Sequence, residues 1–230
     1  MKNFIALIVL ILSSIHVQAQ LGFTTSYVHI NAPQWEELQV ESQAGIPIVD
    51  FKNGFRYSID YWHKLKEKRI EFFPELSYTS FKSEPTNTSA FPADLKIFGF
   101  QYNVSVYPMD IEGDCQCPTF SKRGSVVKKG FFFQISPGVH LLNKHSENDI
   151  LTLEQRNEKQ TLFSIGFGAG LDLGINRFLT ITPFARFNWF SKATWESLTI
   201  NSNDPVIQTN ETKLNQIYAG IRLGIQWKDN

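Results

Sequence analysis

The sequence predicts an all-β chain, a single eight-stranded antiparallel up-and-down transmembrane β-barrel behind an export signal. Three observations predict it. Eight stretches alternate apolar with small or polar residues at period two, the period of a β-strand. Most run ten residues or longer, against ~5–6 for an ordinary strand and ~9–11 for a tilted strand that crosses a bilayer. The connections between them alternate between short and long.

The opening MKNFIALIVLILSSIHVQAQ reads as a secretory signal peptide over residues 1–19. Lys2 supplies the basic start, Phe4 to Leu12 the apolar run, and Val17-Gln18-Ala19 the small-residue cleavage site. The apolar run is far short of the ~20 residues of a spanning helix, and no Cys follows to carry a lipid. The mature domain is then residues 20–230. Of 22 basic and 22 acidic residues, loss of Lys2 leaves 21 against 22, so no basic surplus points to nucleic acid. No later stretch approaches 18 consecutive apolar residues, so a membrane crossing here needs strands.

The strands follow in order. Leu21 to Ile30 sets Leu21, Phe23 and Tyr27 against Gly22, Thr24 and Ser26. Gly54 to His63 sets Phe55, Tyr57, Ile59 and Tyr61 against Arg56, Ser58, Asp60 and Trp62. Ile70 to Phe81 sets Ile70, Phe72, Pro74, Leu76 and Tyr78 against Glu71, Phe73, Glu75, Ser77 and Thr79. Ile97 to Tyr107 separates Phe98, Phe100 and Tyr102 from Gly99, Gln101 and Asn103. Gly130 to Leu142 separates Phe133, Ile135, Val139 and Leu141 from Gln134, Ser136 and His140. Ser164 to Ile175 alternates Ile165, Phe167, Ala169, Leu171 and Leu173 with Gly166, Gly168, Gly170, Asp172 and Gly174. Phe178 to Phe190 sets Ile181, Phe187 and Trp189 against Thr182, Phe184, Arg186 and Asn188. Leu214 to Trp227 sets Ile217, Ile221, Leu223 and Ile225 against Tyr218, Gly220, Arg222 and Gly224.

The turns KLKEKR and NR, after strands two and six, are short. Asn31 to Asn53, Lys82 to Lys96, Asn143 to Gln160 and Ser191 to Lys213 are long and polar. Short turns on one side and long loops on the other characterise outer-membrane barrels. The link from Pro108 to Lys129 departs from this, being long on the short-turn side, and is expected as a periplasmic insert.

Alternation alone does not choose the solvent, since a soluble lipocalin-type barrel would turn its apolar face inward. The glycines choose it. Gly weakens a strand and is poorly suited to a water-facing surface, but it makes room inside an eight-stranded barrel, whose interior is only just wide enough for side chains. The apolar face therefore meets lipid. The opposite face carries Arg56, Asp60, Glu71, Glu75, Asp172, Arg186 and Arg222. In a narrow interior a lone charge is costly, so the arginines are expected to pair with the acids. A hairpin turn centred on Glu67 puts Arg56 diagonal to Glu75.

The export signal ending VQAQ, the eight amphipathic strands and the near-terminal YAGIRLGIQW together resemble the small outer-membrane β-barrel family that includes the OmpA transmembrane domain, and in particular its stand-alone "porin family" barrels of diderm bacteria. The resemblance covers essentially the whole mature chain. It implies residence in the outer-membrane bilayer and insertion by the barrel-assembly machinery, which in this family recognises an aromatic residue ending the last strand. Trp227 fits that role, with Lys228, Asp229 and Asn230 following it.

Chemistry-bearing motifs are few. Cys115 and Cys117, in GDCQCPTFSKRG, are expected to be oxidised in an exported protein. An i to i+2 bridge is tight and easily reduced, so the pair reads as a clasp on the insert, a redox handle, a soft-metal site or a link to a partner. Zinc would need two further ligands that no nearby His or Cys supplies, and His29, His63, His140 and His145 have no metal-ligand spacing. There is no nucleophile, Walker or dinucleotide motif. Trp35, in QWEELQVES beside Glu36, Glu37 and Glu41, reads as a membrane-rim girdle residue or as an exposed contact. The expected function is a structural or interaction barrel of the envelope, without catalysis, metal or cofactor, whose insert at residues 108–129 can meet a periplasmic or cell-wall partner. The alternatives are a narrow or gated solute or ion channel and an accessory barrel of a secretion system.

Overall fold

The computed structural model describes residues 20–37, 51, 53–64, 70–83, 93–108, 130–146, 157–175, 178–196 and 211–226. The export signal, the insert with Cys115 and Cys117, and the C-terminal Trp227 lie outside the described residues. The strands are β1 (Gln20–Asn31), β2 (Asn53–Lys64), β3 (Ile70–Ser83), β4 (Ala93–Val106), β5 (Phe131–Ser146), β6 (Asn157–Leu171), β7 (Leu173–Gly174), β8 (Leu179–Thr194) and β9 (Glu211–Gln226), with one short helix, α1 (Pro33–Glu37). From β1 to β6 each strand pairs antiparallel with its sequence neighbour, as do β7 with β8 and β8 with β9; β1 pairs with β9, and β6 pairs with β8 to close the ring. β6 and β7 are one strand interrupted at Asp172. Leu173 faces Ile181 in the register that sets Gly170 opposite Phe184, while the Asp172 amide donates to the Gly130 carbonyl. The result is a closed eight-stranded up-and-down barrel, as the alternation predicts. Closure leaves no unpaired sheet edge, the condition for strands to cross a bilayer.

Around the middle of the barrel the apolar residues point out. Phe23, Tyr57, Leu76, Phe100, Ile135, Phe167, Phe187 and Ile221 are exposed, while Ser58, Ser77, Gln101, Ser136 and Asn188 are buried. Proline fits this face at a local cost, because it has no N–H for the ladder. Pro74 and Pro137 mark the breaks in pairing between β2 and β3 and between β4 and β5.

The inward glycines are placed where neighbours come close. A Cβ on Gly170 would stand 2.5 Å from the Phe132 ring, and one on Gly168 3.2 Å from the Arg186 side chain. Gly220 is the tightest against main chain, with the Thr25 carbonyl oxygen at 2.3 Å from the added carbon. Gly220→Ala is therefore expected to push β1 from β9 and to destabilise the barrel by about 1–3 kcal/mol, the range for overpacking. A urea titration in detergent, read by the gel shift between folded and unfolded protein, measures it, and an unchanged midpoint would show that the seam gives freely.

At the end that carries the long connections, here the loop end, the polarity reverses. Val28, Ile30, Phe81, Leu95, Ile97, Leu142, Leu162, Phe190 and Leu214 point inward and are buried. Between them Asn31, Asn53, Lys82, Lys96, Lys159 and Lys213 point outward and are exposed. The reversal is made by side-by-side apolar pairs, Tyr27–Val28, Ile97–Phe98, Leu141–Leu142, Leu162–Phe163 and Trp189–Phe190. One member of each faces out at the top of the apolar band and the other faces in. Because pairing continues beyond the band, five strand ends at this side reach well past the sequence pattern. β4 begins at Ala93 rather than Ile97, β5 ends at Ser146 rather than Leu142, β6 begins at Asn157 rather than Ser164, β8 ends at Thr194 rather than Phe190, and β9 begins at Glu211 rather than Leu214.

Candidate functional site

The lumen is the one interior this fold has, and it is filled in two layers. The layer on the side of the short turns, here the turn end, is polar. Arg56 on β2 donates to Glu75 on β3 at 2.9 Å and to Gln101 on β4 at 2.6 Å. Arg186 on β8 reaches the same carboxylate from the opposite wall at 3.2 Å, and also donates to Tyr218 at 2.9 Å and to Gln134 at 2.6 Å. Asn103 donates to the second oxygen of Glu75. Both guanidinium groups lie against the Tyr218 ring, at 5.0 and 5.4 Å from its centroid, within cation–π range. One carboxylate thus ties β2, β3 and β8 together across the barrel, and Arg56, Glu75 and Gln101 are buried.

The second pair is bidentate. Arg222 on β9 holds both oxygens of Asp60 on β2, at 2.8 and 2.6 Å, with its guanidinium 5.0 Å from the Phe73 ring. A planar fork matched to a carboxylate is the strongest geometry available to such a pair. The pairing has a specific task here. Asp60 stands directly opposite Glu75 in the β2–β3 ladder, and like charges so placed repel. Three guanidinium groups converging from β2, β8 and β9 offset that repulsion.

Glu71 and Asp172 are held differently. The Tyr107 hydroxyl lies 2.9 Å from Glu71 and 2.6 Å from Asp172, the Trp62 indole N–H donates to Glu71 at 2.7 Å, and the Thr182 hydroxyl donates to Asp172. A hydroxyl has one proton to give, so the two carboxylates share it. All seven charged residues singled out by the sequence thus line the lumen. Direct ion pairs form between Arg56 and Glu75, Arg186 and Glu75, and Arg222 and Asp60. The expected diagonal placement of Arg56 and Glu75 does not hold. Arg56 faces Thr79 in the ladder and meets Glu75 only through the length of its side chain. A cavity of about 30 Å³ remains among Asp60, Glu75, Asp172, Arg186 and Arg222, room for one or two waters.

The layer at the loop end is apolar. Trp195, beyond the end of β8, packs edge-on against Trp35 of α1 at 5.4 Å and stacks on Phe51 at 6.1 Å. These rings join Val28, Phe81, Leu95 and Leu142 in one buried cluster across the mouth. Trp35 is therefore neither a girdle residue nor an exposed contact; at 2% exposure it is part of the plug. Helix α1 is anchored to β9 by Gln34, which accepts from the Thr212 hydroxyl and the Lys213 amide at 2.8 and 2.9 Å. Lys144 closes one side, paired with Glu158 at 3.1 Å and donating to the Thr194 carbonyl. Burial pushes its pKa down, with Glu158 opposing. Between the layers His140 meets the Ser164 hydroxyl at 2.7 Å and packs on Phe190. Sequence periodicity missed this plug because its members sit out of phase with the lipid-facing alternation. The apolar doublets were the available signal.

On the outer wall a groove of about 690 Å³ lies between Phe23, Tyr57, Ile59, Tyr78 and Ile221. It belongs to the apolar band and suits acyl chains rather than a polar solute. Among the described residues no three His, Cys, Asp or Glu side chains converge as a metal site.

No protein-family model and no curated protein sequence matches the chain. Solved structures do. Neisserial surface protein A aligns over 91% of this chain and 97% of its own, with a TM-score of 0.50 and 9% identity. Ail, the attachment invasion locus protein of Yersinia pestis, aligns over 92% and 100%, with a TM-score of 0.44 and 9% identity. The outer membrane protein OprG from Pseudomonas aeruginosa aligns over 93% and 98%, with a TM-score of 0.42 and 14% identity. What this chain shares with the first of these is the fold of a small outer-membrane barrel.

Proposed function

We propose that this protein is a non-conducting outer-membrane β-barrel that serves as a structural or interaction component of the bacterial envelope and catalyses nothing. The observation that carries the reading is the double filling of the lumen. An ion entering from the loop end meets the rings of Trp35, Phe51 and Trp195, which offer no replacement for its hydration shell. Below them it meets Glu75 already shared by Arg56 and Arg186. Open channels of this architecture use ~16–18 strands, twice the number here. With the interior occupied, the surfaces left for work are the outer wall, the loop end and the connections.

In this reading the loop end faces outward and both chain termini face the periplasm. The insert at residues 108–129 is then available to a periplasmic or cell-wall partner, and the barrel-assembly machinery inserts the chain. Planar-bilayer recording of the purified protein is the test. The expected result is no step conductance above the bare bilayer. Reproducible unitary currents would establish the gated channel instead, and would require both layers to open.

A further inference from the structure

We propose that the outward-facing lysines of β6, β8 and β9 form a binding surface for the phosphate-bearing headgroups of lipids in the leaflet at the loop end, an inference that rests on the outer-membrane reading above. The first observation is height. Lys159 lies four residues before Phe163, Lys192 three residues after Trp189, and Lys213 four residues before Ile217, where those apolar residues top the lipid-facing band. At ~3.3 Å per residue and a strand tilt of ~35–45°, the lysine Cα atoms stand about 7–11 Å above the band. The headgroup layer on one side of a bilayer is about 5–8 Å deep, and a lysine stem can lower its ammonium further while its apolar part covers the wall.

The second observation is independent of height. Lys192 and Lys213 are directly opposite one another in the β8–β9 ladder, immediately beyond the irregularity between Trp189 and Lys192. Like charges in that position repel, and both side chains are exposed. Glu211 meets Lys192 at 2.8 Å, and that contact raises the Lys192 pKa, so the lysine stays charged. Lys159 adds a third cation on β6, next to β8 across the closing seam. Among the described residues Glu196 is the other exposed acid on this face, while Glu158 is engaged with inward Lys144. Glu211 offsets part of the Lys192–Lys213 repulsion; a phosphate seated between the two lysines meets the positive charge left over, and the ring of apolar residues beneath supplies a place for its acyl chains. The same chemistry would accept free phosphate; the apolar band directly beneath the cations is what favours a lipid.

The mature protein, reconstituted in phosphatidylcholine vesicles, tests this with small amounts of spin-labelled phosphatidic acid or spin-labelled phosphatidylcholine. The fraction of motionally restricted label reports which lipid stays at the wall. Phosphatidic acid is expected to be enriched about threefold or more at low salt and to lose that preference in molar NaCl. Replacing the three lysines together, Lys159→Gln, Lys192→Gln and Lys213→Gln, is expected to bring the ratio close to one while the unheated protein keeps its folded gel mobility. No preference in the parent protein, or an undiminished one in the variant, overturns the proposal. So does abolition of the preference by millimolar inorganic phosphate, which would mark a free-anion site. A protein that fails to insert into any vesicle overturns the outer-membrane reading as well, so the two failures are told apart.

Discussion

Glu75→Ala is expected to destabilise the folded barrel by about 3–5 kcal/mol, the cost of leaving buried charge uncompensated. Two guanidinium groups converge on that carboxylate from opposite walls, and Asn103 donates to it as well. Its loss leaves Arg56 and Arg186 facing each other across the lumen with Gln101, Gln134 and Tyr218 as their remaining partners. Glu75→Gln keeps the volume and loses the charge, so it is expected to recover little. Replacing Arg56, Glu75 and Arg186 together by apolar residues of similar size is expected to recover most of the loss, because a buried ion pair is worth little against good packing. Urea unfolding in detergent micelles, followed by the mobility difference between unheated and boiled samples, gives the midpoint. An Glu75→Ala midpoint equal to that of the parent would mean that water reaches the cluster and that the interior is not dry.

Trp195→Ala is expected to cost a similar amount, about 3–5 kcal/mol, by a different mechanism. Its side chain is among the largest fully buried ones, and it touches both Trp35 and Phe51. Removing the ring leaves a void that α1 cannot fill without breaking the bonds that Gln34 accepts from β9. The damage should also be local. Amide hydrogen exchange is expected to accelerate in the loop-end parts of β8 and β9 and in α1, while the strands around Glu75 stay protected. Uniform acceleration along the whole barrel would show that the two layers unfold as one unit.

The barrel itself was legible in the sequence because its cause is local. A strand that divides lipid from a crowded interior must alternate at period two, so the outward Phe98, Phe100 and Tyr102 and the inward Gly99, Gln101 and Asn103 could be assigned one residue at a time. The inward arginines and carboxylates were legible for the same reason. Their partners were not. Arg56 pairs with a carboxylate that the ladder places four residues from its own opposite number, and Arg186 with one 111 residues away in the chain. Such choices depend on side-chain length and on which walls face each other across a closed ring.

The plug shows the same division. Val28, Leu95 and Leu142 are plainly apolar in the sequence, yet along a strand they look like errors of phase. Above the lipid the outside is wet, so the apolar side turns inward, and only the closed barrel reveals where that change falls. Trp35 and Trp195 are far apart in the chain, and nothing local says that they meet. The sequence by itself thus determined the periodicity, the strand count, the face that meets lipid and the charges that line the interior, because each follows from one residue and its immediate neighbours. The tertiary structure alone decided which charges pair and that Trp35, Phe51 and Trp195 stack at the loop end, because these depend on distances across a ring that the linear order does not contain.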